Sequence, residues 1–138
     1  MMEQRAVMTK TYLLISLAVS QLVGTSLLAA QPLIEECHGT ETVKMGSDEP
    51  RTIPYFLTFK ADLATNTYCY GSCSKQQTYP IFDPKSSPMK LSDTAKGGQE
   101  RHLYFDRVTG RLTDDQVLNA GLGNVTRRAT AICKPSKL

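Results

Sequence analysis

The sequence predicts a mainly β domain, built as an antiparallel meander or a small barrel and stapled by two disulfides. Glycine and proline recur roughly every ten residues between Pro32 and Leu138, which leaves little room for long helices. Several segments alternate apolar and polar residues, the pattern of a strand with one buried face. All four cysteines lie after residue 30, and their even number predicts a disulfide framework.

Residues 1–30 have the pattern of a cleavable secretory signal. Basic residues give a positively charged start, an apolar run covers residues 12–28, and the small residues Ala29 and Ala30 follow. We expect cleavage after one of these two alanines, which leaves residues 31–138 as a single small β-rich domain. The alternative is a membrane anchor, but polar residues interrupt the run and no cationic stop follows it. The protein is therefore expected in the periplasm or secreted, with no membrane span after cleavage.

The cysteines are expected to form two disulfides, for which three pairings exist. Cys69 and Cys73 lie on either side of Gly71, which can take the positive φ of a tight reversal. Cys37 and Cys133 would then join the first and last strands. The alternative is a metal site, but a chain with only two histidines lacks the paired spacing of zinc modules. We predict no metal and no cofactor.

Alternation also predicts which strand faces are buried. Residues that would share such faces are Tyr55, Leu57 and Phe59 in one segment, Leu103 and Phe105 in another, and Val125, Ala129, Ala131 and Cys133 in the last. Arg127 interrupts the apolar phase of that last strand. Cys37 is in phase with Val43 and Met45, so both terminal cysteines can point to the buried side of a sheet. This supports the pairing of Cys37 with Cys133.

One local helix signal stands out among the predicted strands. Residues 106–112 predict a hairpin, with Gly110 as the left-handed residue of its turn. The residues that follow have the spacing of a capping box that begins at Thr113, and their aspartates suit the positive end of a helix dipole. This pattern favours one short helix near residues 114–120. The competing interpretation is an irregular strand over residues 112–118.

No group of residues has the pattern of a catalytic site. Nucleophilic catalysis needs a nucleophile beside a base, and usually a third group that orients the base. His38 adjoins a cysteine that we expect in a disulfide, and His102 alternates outward from its apolar neighbours. We therefore assign no catalytic residue and predict that the protein is not an enzyme. The alternative is a small secreted hydrolase that uses His102 with a nearby carboxylate, Asp106 or Asp114.

The charge and the aromatic residues bear on partners. The formal net charge of +3 is weak and forms no concentrated basic stripe, so nucleic acid is not an expected partner. Tyr68 and Tyr70 flank Cys69. They predict either an aromatic contact patch for a ligand or partner, or a pair that packs over the disulfide.

Four stretches of the mature region carry a resemblance. They are residues 37–42 (CHGTET), residues 68–73 (YCYGSC), residues 106–110 (DRVTG) and Cys133. Through them the chain resembles small uncharacterised exported proteins of proteobacteria, over most of residues 34–135. The resemblance implies a single β-rich domain with terminal and mid-chain cysteines, and it brings no activity or catalytic residue. In size, export and terminal cysteines the chain is also similar to periplasmic β-barrel inhibitors of lysozyme.

These observations together predict an exported, soluble binding or interaction module of the bacterial envelope. Such a module would engage or inhibit another macromolecule, either a protein or an envelope component. We expect it to act as a monomer.

Overall fold

The computed structural model describes residues 31–119, 121 and 123–136. The expected signal segment, residues 1–30, lies outside the described residues. Within the described residues, no helix has the length and the hydropathy of a membrane span. Its elements are β1 (Leu33–Met45), β2 (Arg51–Asp62), β3 (Thr67–Tyr70), a 3-10 turn (Lys75–Gln77), β4 (Thr78–Pro80), β5 (Met89–Lys96), β6 (Gln99–Phe105), β7 (Arg111–Asn119) and β8 (Asn124–Pro135).

The eight strands form one antiparallel sheet in the order β4-β3-β2-β1-β8-β7-β6-β5. Each neighbouring pair is consecutive in the chain except β1 and β8, which pair along most of their length and bring the two ends of the domain together. The sheet is nearly closed into a barrel. This confirms the predicted fold class.

The sheet stays open along one seam, between β4 and β5. The backbone N–H of Phe82 donates to the carbonyl of Leu91 at 3.2 Å, and Asp83 and Lys90 exchange two backbone hydrogen bonds of 3.0 Å. Beyond these contacts, β5 pairs with β6 alone and β4 with β3 alone among the described residues. The seam therefore leaves two strand edges without a full partner.

Apolar side chains fill one half of the barrel interior, the half that contains the start of β1 and the β6–β7 turn. Alternate residues of each strand point inward, as in other small barrels. The rings of Phe59 and Phe105 meet edge to face, with their centroids 5.3 Å apart. Burial of each large side chain stabilises the fold by about 1.5–3 kcal/mol. The largest fully buried apolar side chains are Phe59, Met89, Leu91, Leu103 and Leu112.

Both predicted disulfides are present. Cys37 and Cys133 lie directly opposite each other in the β1–β8 pair, with their Sγ atoms 2.04 Å apart. Cys69 and Cys73 form the second bridge, with an S–S distance of 2.06 Å, and Gly71 between them has a φ of +53°. The first bridge closes a loop that spans most of the domain, and the second closes a short loop.

The short helix predicted near residues 114–120 is wrong, because Arg111–Asn119 is strand β7. This strand lies between β6 and β8 and pairs with both, so the sheet satisfies its backbone on two sides. Asp114 points into the barrel rather than to a helix N-terminus. Tertiary pairing thus outweighs the local capping signal. The hairpin predicted before it is confirmed, with Gly110 at a φ of +71°, and Ala120 lies outside the described residues.

Candidate functional site

The other half of the barrel interior carries charged side chains instead of apolar ones. Ala129 of β8 lies opposite Glu41 of β1 on one side and opposite Asp114 of β7 on the other. The register therefore places both carboxylates in one row across three strands. Arg127 lies two residues from Ala129, and Arg101 lies two residues from the partner of Asp114. We call Glu41, Arg101, Asp114 and Arg127 the charged cluster.

Asp114 is the most heavily hydrogen-bonded member of the charged cluster. Its side chain is 2% exposed. Arg101 donates two hydrogen bonds to it, from Nε to Oδ1 at 3.0 Å and from Nη2 to Oδ2 at 2.8 Å. The hydroxyl of Tyr55 donates to Oδ2 at 2.9 Å, and the side-chain amide of Gln116 donates to the same atom at 3.2 Å. A buried carboxylate with four such donors is well compensated for its lost hydration.

Glu41 and Arg127 form the second ion pair of the cluster. Nη2 of Arg127 donates to Oε2 of Glu41 at 2.9 Å, and Nε lies 2.8 Å from Oε1. The Glu41 side chain is 3% exposed, and its Oε1 has no hydrogen bond of normal geometry within the described residues. Loss of the arginine alone would leave a buried charge without a partner, which is strongly destabilising.

Tyrosines surround the charged cluster. The guanidinium of Arg101 lies over the ring of Tyr70, with Cζ 5.4 Å from the centroid. Tyr70 meets Tyr68 edge to face at 5.5 Å, and Tyr79 lies 5.8 Å from Tyr70. The aromatic residues predicted to form either a contact patch or a cover for the disulfide thus line the barrel interior.

The hydroxyl of Tyr70 is an exception to the rule that buried polar groups are paired. Its oxygen is buried and makes no hydrogen bond of normal geometry in the described part of the chain, although Tyr68 is close enough to raise its pKa. Burial raises the pKa of Tyr70. Burial, and to a smaller extent the negative charge of Asp114, raises the pKa of Tyr55. Both hydroxyls therefore stay protonated near neutral pH, and the Tyr55 hydroxyl donates to Asp114.

Two cavities open beside this cluster. The end cavity, of about 330 Å³, is lined by the apolar residues Phe56 and Leu57 and by the polar residues Tyr55, Tyr70, Arg101, Asp114, Gln116 and Arg127. The seam groove, of about 500 Å³, lies between the β4 side of the seam and the inner face of β5, β6 and β7. Arg101 and Gln116 line both spaces. The seam groove combines aromatic with polar walls, and its lining includes Tyr79, Phe82, Thr94, Gln99, Glu100 and Leu118.

His102, the candidate of the alternative hydrolase prediction, lies on the outer face of β6. Its Nδ1 is 2.7 Å from Oδ1 of Asp93, and its side chain is 41% exposed. The prediction paired His102 with Asp106 or Asp114, and neither of these carboxylates contacts it. The carboxylate that contacts His102 is that of Asp93. The hydrogen bonds from His102 and then from Lys90 lower the pKa of Asp93.

The two carboxylates named in that prediction have other contacts. Oδ1 of Asp106 accepts hydrogen bonds from the backbone N–H groups of Val108 and Thr109 in the β6–β7 turn, at 2.9 and 3.3 Å. Asp114 belongs to the charged cluster. Within residues 31–119, 121 and 123–136, no three His, Cys, Asp or Glu side chains gather as a metal site requires.

The charged cluster is absent from the sequence-based prediction, although a signal for it exists. Arg127 interrupts an apolar phase, and Glu41 is in phase with Cys37 and Val43. A charged residue on the buried phase of a strand indicates either a wrong register or an interior ion pair. Two such residues of opposite charge on the first and last strands would have pointed to the second explanation.

Comparison of the chain with models of protein families, with curated proteins and with solved structures finds no match.

Proposed function

We propose that this domain is a binding module of the bacterial envelope and that it engages a macromolecular partner at the seam groove. The observation that carries the proposal is the groove itself, a space of about 500 Å³ where the sheet fails to close. A volume of this size is typical of binding sites, which favour barrel mouths and combine apolar walls with a few polar groups.

The walls of the groove support a binding role. Phe82 is 58% exposed and Tyr79 is 41% exposed, although both are large aromatic residues. Exposed aromatic side chains beside polar ones are typical of the centre of a protein interface. Arg101 and Gln116 at the inner wall add hydrogen-bonding groups that can select a partner.

The strand edges at the seam indicate what kind of partner fits. Pairing across the seam stops at Leu91, while β5 continues to Lys96. An extended segment of a partner protein can add to such an edge through its backbone and place alternate side chains in the groove. The bulge between Lys90 and Ser92 marks the point where this free edge begins.

Export to the periplasm or the medium is part of the same proposal. The two disulfides support it, because such bonds persist in oxidising compartments and are rare in the cytosol. The resemblance to exported proteobacterial proteins points to the same location. We propose that the module acts as a monomer, which sedimentation of the purified domain would test.

Two phenylalanines of nearly equal exposure provide the test. Phe82 lines the groove and is 58% exposed, whereas Phe56 of β2 lies outside the groove, beside the end cavity, and is 60% exposed. The mature domain would be used to capture partners from envelope extract, and a purified partner would then be titrated against each variant. We expect Phe82→Ala to weaken binding at least about tenfold and Phe56→Ala to leave it unchanged. Equal binding by both variants would place the contact away from the groove.

A second candidate function, a small hydrolase, has one observation in its favour. The 2.7 Å contact between His102 and Asp93 resembles the base and orienting carboxylate of nucleophilic catalysis. The hydrogen bonds of the His102 ring within the described residues go to Asp93 and Tyr104, not to a serine, threonine or cysteine. We expect equal hydrolysis of a p-nitrophenyl ester by the wild type and by His102→Gln. A rate that depends on His102 would favour the hydrolase.

A further inference from the structure

We infer that the end cavity is a second binding site and that it takes a carboxylate group between Arg101 and Arg127. The two arginines line the same cavity of about 330 Å³, which opens widely to solvent. This inference goes beyond the seam groove and does not depend on the partner proposed there.

Both guanidinium groups are held in place before any ligand arrives. Arg101 is fixed by its two-bond contact with Asp114, and Arg127 is fixed by Glu41. Each contact uses Nε and Nη2, so Nη1 and the second N–H of Nη2 remain on each side chain. The arginine side chains are 30% and 38% exposed, which leaves these donors within reach of the cavity.

The charge of the cluster indicates which anion fits. Two arginines and two buried carboxylates sum to zero, so a ligand with one negative charge adds one charge to the interior. A doubly charged phosphate would add two and would repel Glu41 and Asp114 more strongly. A carboxylate also matches the planar guanidinium fork, which makes it the preferred ligand group.

Tyr70 supplies an independent observation that points to a ligand. The side chain of Tyr70 lines the end cavity, and its buried hydroxyl makes no hydrogen bond of normal geometry with the described side chains and backbone. A buried hydroxyl without a hydrogen bond costs free energy, and an acceptor oxygen placed in the cavity would remove that cost. Since burial keeps the hydroxyl protonated, it can donate to a carboxylate.

The cluster is poorly explained as a purely structural device. Replacement of buried ion pairs by apolar side chains of similar volume is often neutral or stabilising. The opposite half of this barrel is filled in that apolar way, with Phe59 and Leu103 fully buried. A barrel that needed only stability could have filled both halves alike, whereas a ligand site needs fixed charges at a cavity.

The first experiment compares ligands on the wild-type domain. Thermal unfolding and amide chemical shifts would be followed with acetate, succinate, inorganic phosphate and acetamide, the neutral counterpart of acetate. Two short peptides, one with a free C-terminus and one amidated, show whether the carboxylate comes from a small molecule or a polypeptide. We expect a carboxylate to raise the unfolding temperature and to shift signals around Tyr70, with weaker effects from phosphate and none from acetamide.

Two variants and one control test the site itself. Tyr70→Phe removes a hydroxyl that makes no hydrogen bond of normal geometry with the described residues, so the fold should be unaffected while carboxylate affinity falls about tenfold or more. The double variant Glu41→Gln with Arg127→Gln removes both charges of one ion pair and should abolish binding. Tyr104→Phe, on the outer face of β6, should bind as the wild type does. Circular dichroism would establish that each variant is folded.

The inference is overturned if acetamide binds as well as acetate, or if Tyr70→Phe keeps wild-type affinity for the carboxylate. Tyr70→Phe removes no charge and needs no second substitution to keep the charges balanced. Its carboxylate affinity therefore tests the inference even if the double variant fails to fold. Phe82→Ala separates the two proposals, since it should lose the macromolecular partner and keep carboxylate binding. Failure at one cavity therefore leaves the other proposal standing.

Discussion

Tyr55 and Tyr70 line the same cavity, but their hydroxyls are in opposite situations. The hydroxyl of Tyr55 donates to the buried carboxylate of Asp114 at 2.9 Å. The hydroxyl of Tyr70 makes no hydrogen bond of normal geometry in the described part of the chain. Two residues of one type therefore differ in their contribution to stability, because a hydrogen bond to a charged acceptor stabilises the fold and an unpaired hydroxyl does not.

This difference predicts unequal effects of the same substitution. We expect Tyr55→Phe to lower the free energy of unfolding by about 1–3 kcal/mol, since Asp114 loses one donor in a buried site. Tyr70→Phe should not lower it. Urea unfolding of the two variants beside the wild type measures both values. Equal losses would show that Tyr70 is paired in solution.

Glu35 provides a prediction about pH. Its side chain lies on the buried face of β1, is 7% exposed, and burial raises its pKa above the ordinary value of 4.5. A raised folded-state pKa means that the stability associated with the protonated group is present below pH 4.5 and lost as the pH rises through the folded-state value. The ionised form therefore weakens the fold at neutral pH.

We expect Glu35→Gln to unfold at a higher temperature than the wild type at pH 7, because glutamine has no charge to desolvate. The difference should shrink as the pH falls towards 4.5, where the wild-type side chain is increasingly protonated. Calorimetry across this range makes the comparison. A variant less stable than the wild type at pH 7 would show that Glu35 makes a contact that outweighs its desolvation.

At the scale of elements, the β1–β8 pair holds the barrel together. It joins the two ends of the domain and carries a disulfide. It also carries both members of the Glu41–Arg127 ion pair, and the two backbones approach each other closely. That approach occurs at Gly39, where a Cβ atom would overlap the carbonyl oxygen of Thr130 and lie 2.6 Å from Cα of Ala131. Glycine is needed here for space.

Gly39→Ala should therefore destabilise the domain by about 1–3 kcal/mol or more, because the two strands must separate to make room for the methyl group. Thr40→Ala, at the exposed neighbouring position, serves as the control with a small effect. Denaturant unfolding of both variants gives the comparison. If Gly39→Ala were as stable as Thr40→Ala, the strands would have to be farther apart than they are here.

At the scale of the whole molecule, the two disulfides differ in how much of the chain they constrain. Cys37 and Cys133 are 96 residues apart in sequence, and Cys69 and Cys73 are 4 apart. In the chain-entropy model, stabilisation rises with the logarithm of the loop that a bridge closes. The terminal bridge should therefore matter more for a domain of modest core.

We expect the double variant Cys37→Ala with Cys133→Ala to lose about 4–5 kcal/mol of unfolding free energy, and Cys69→Ala with Cys73→Ala to lose about 2 kcal/mol. Urea unfolding without reductant would give both values. A larger loss in the second pair would indicate that the short bridge acts through the packing of Tyr70 at the end cavity, and not through chain entropy.

Several features of the whole molecule follow from the sequence alone. Strand alternation and frequent glycine and proline predicted an antiparallel β domain, and the even cysteine count with Gly71 between two of them predicted both bridges. The alternation is a local property, because a strand alternates with a period of two whatever it pairs with. The bridges follow from the even number of cysteines.

Other features were decided by pairing between distant strands. The capping box at Thr113 is a real local preference, but β6 and β8 on either side of it hold the segment as a strand. Likewise, the charged residues of β1 and β8 could be recognised as out of place in the sequence, yet their partners and their shared cavity depend on register. Register is set by contacts across strands, and these have no counterpart in the local sequence.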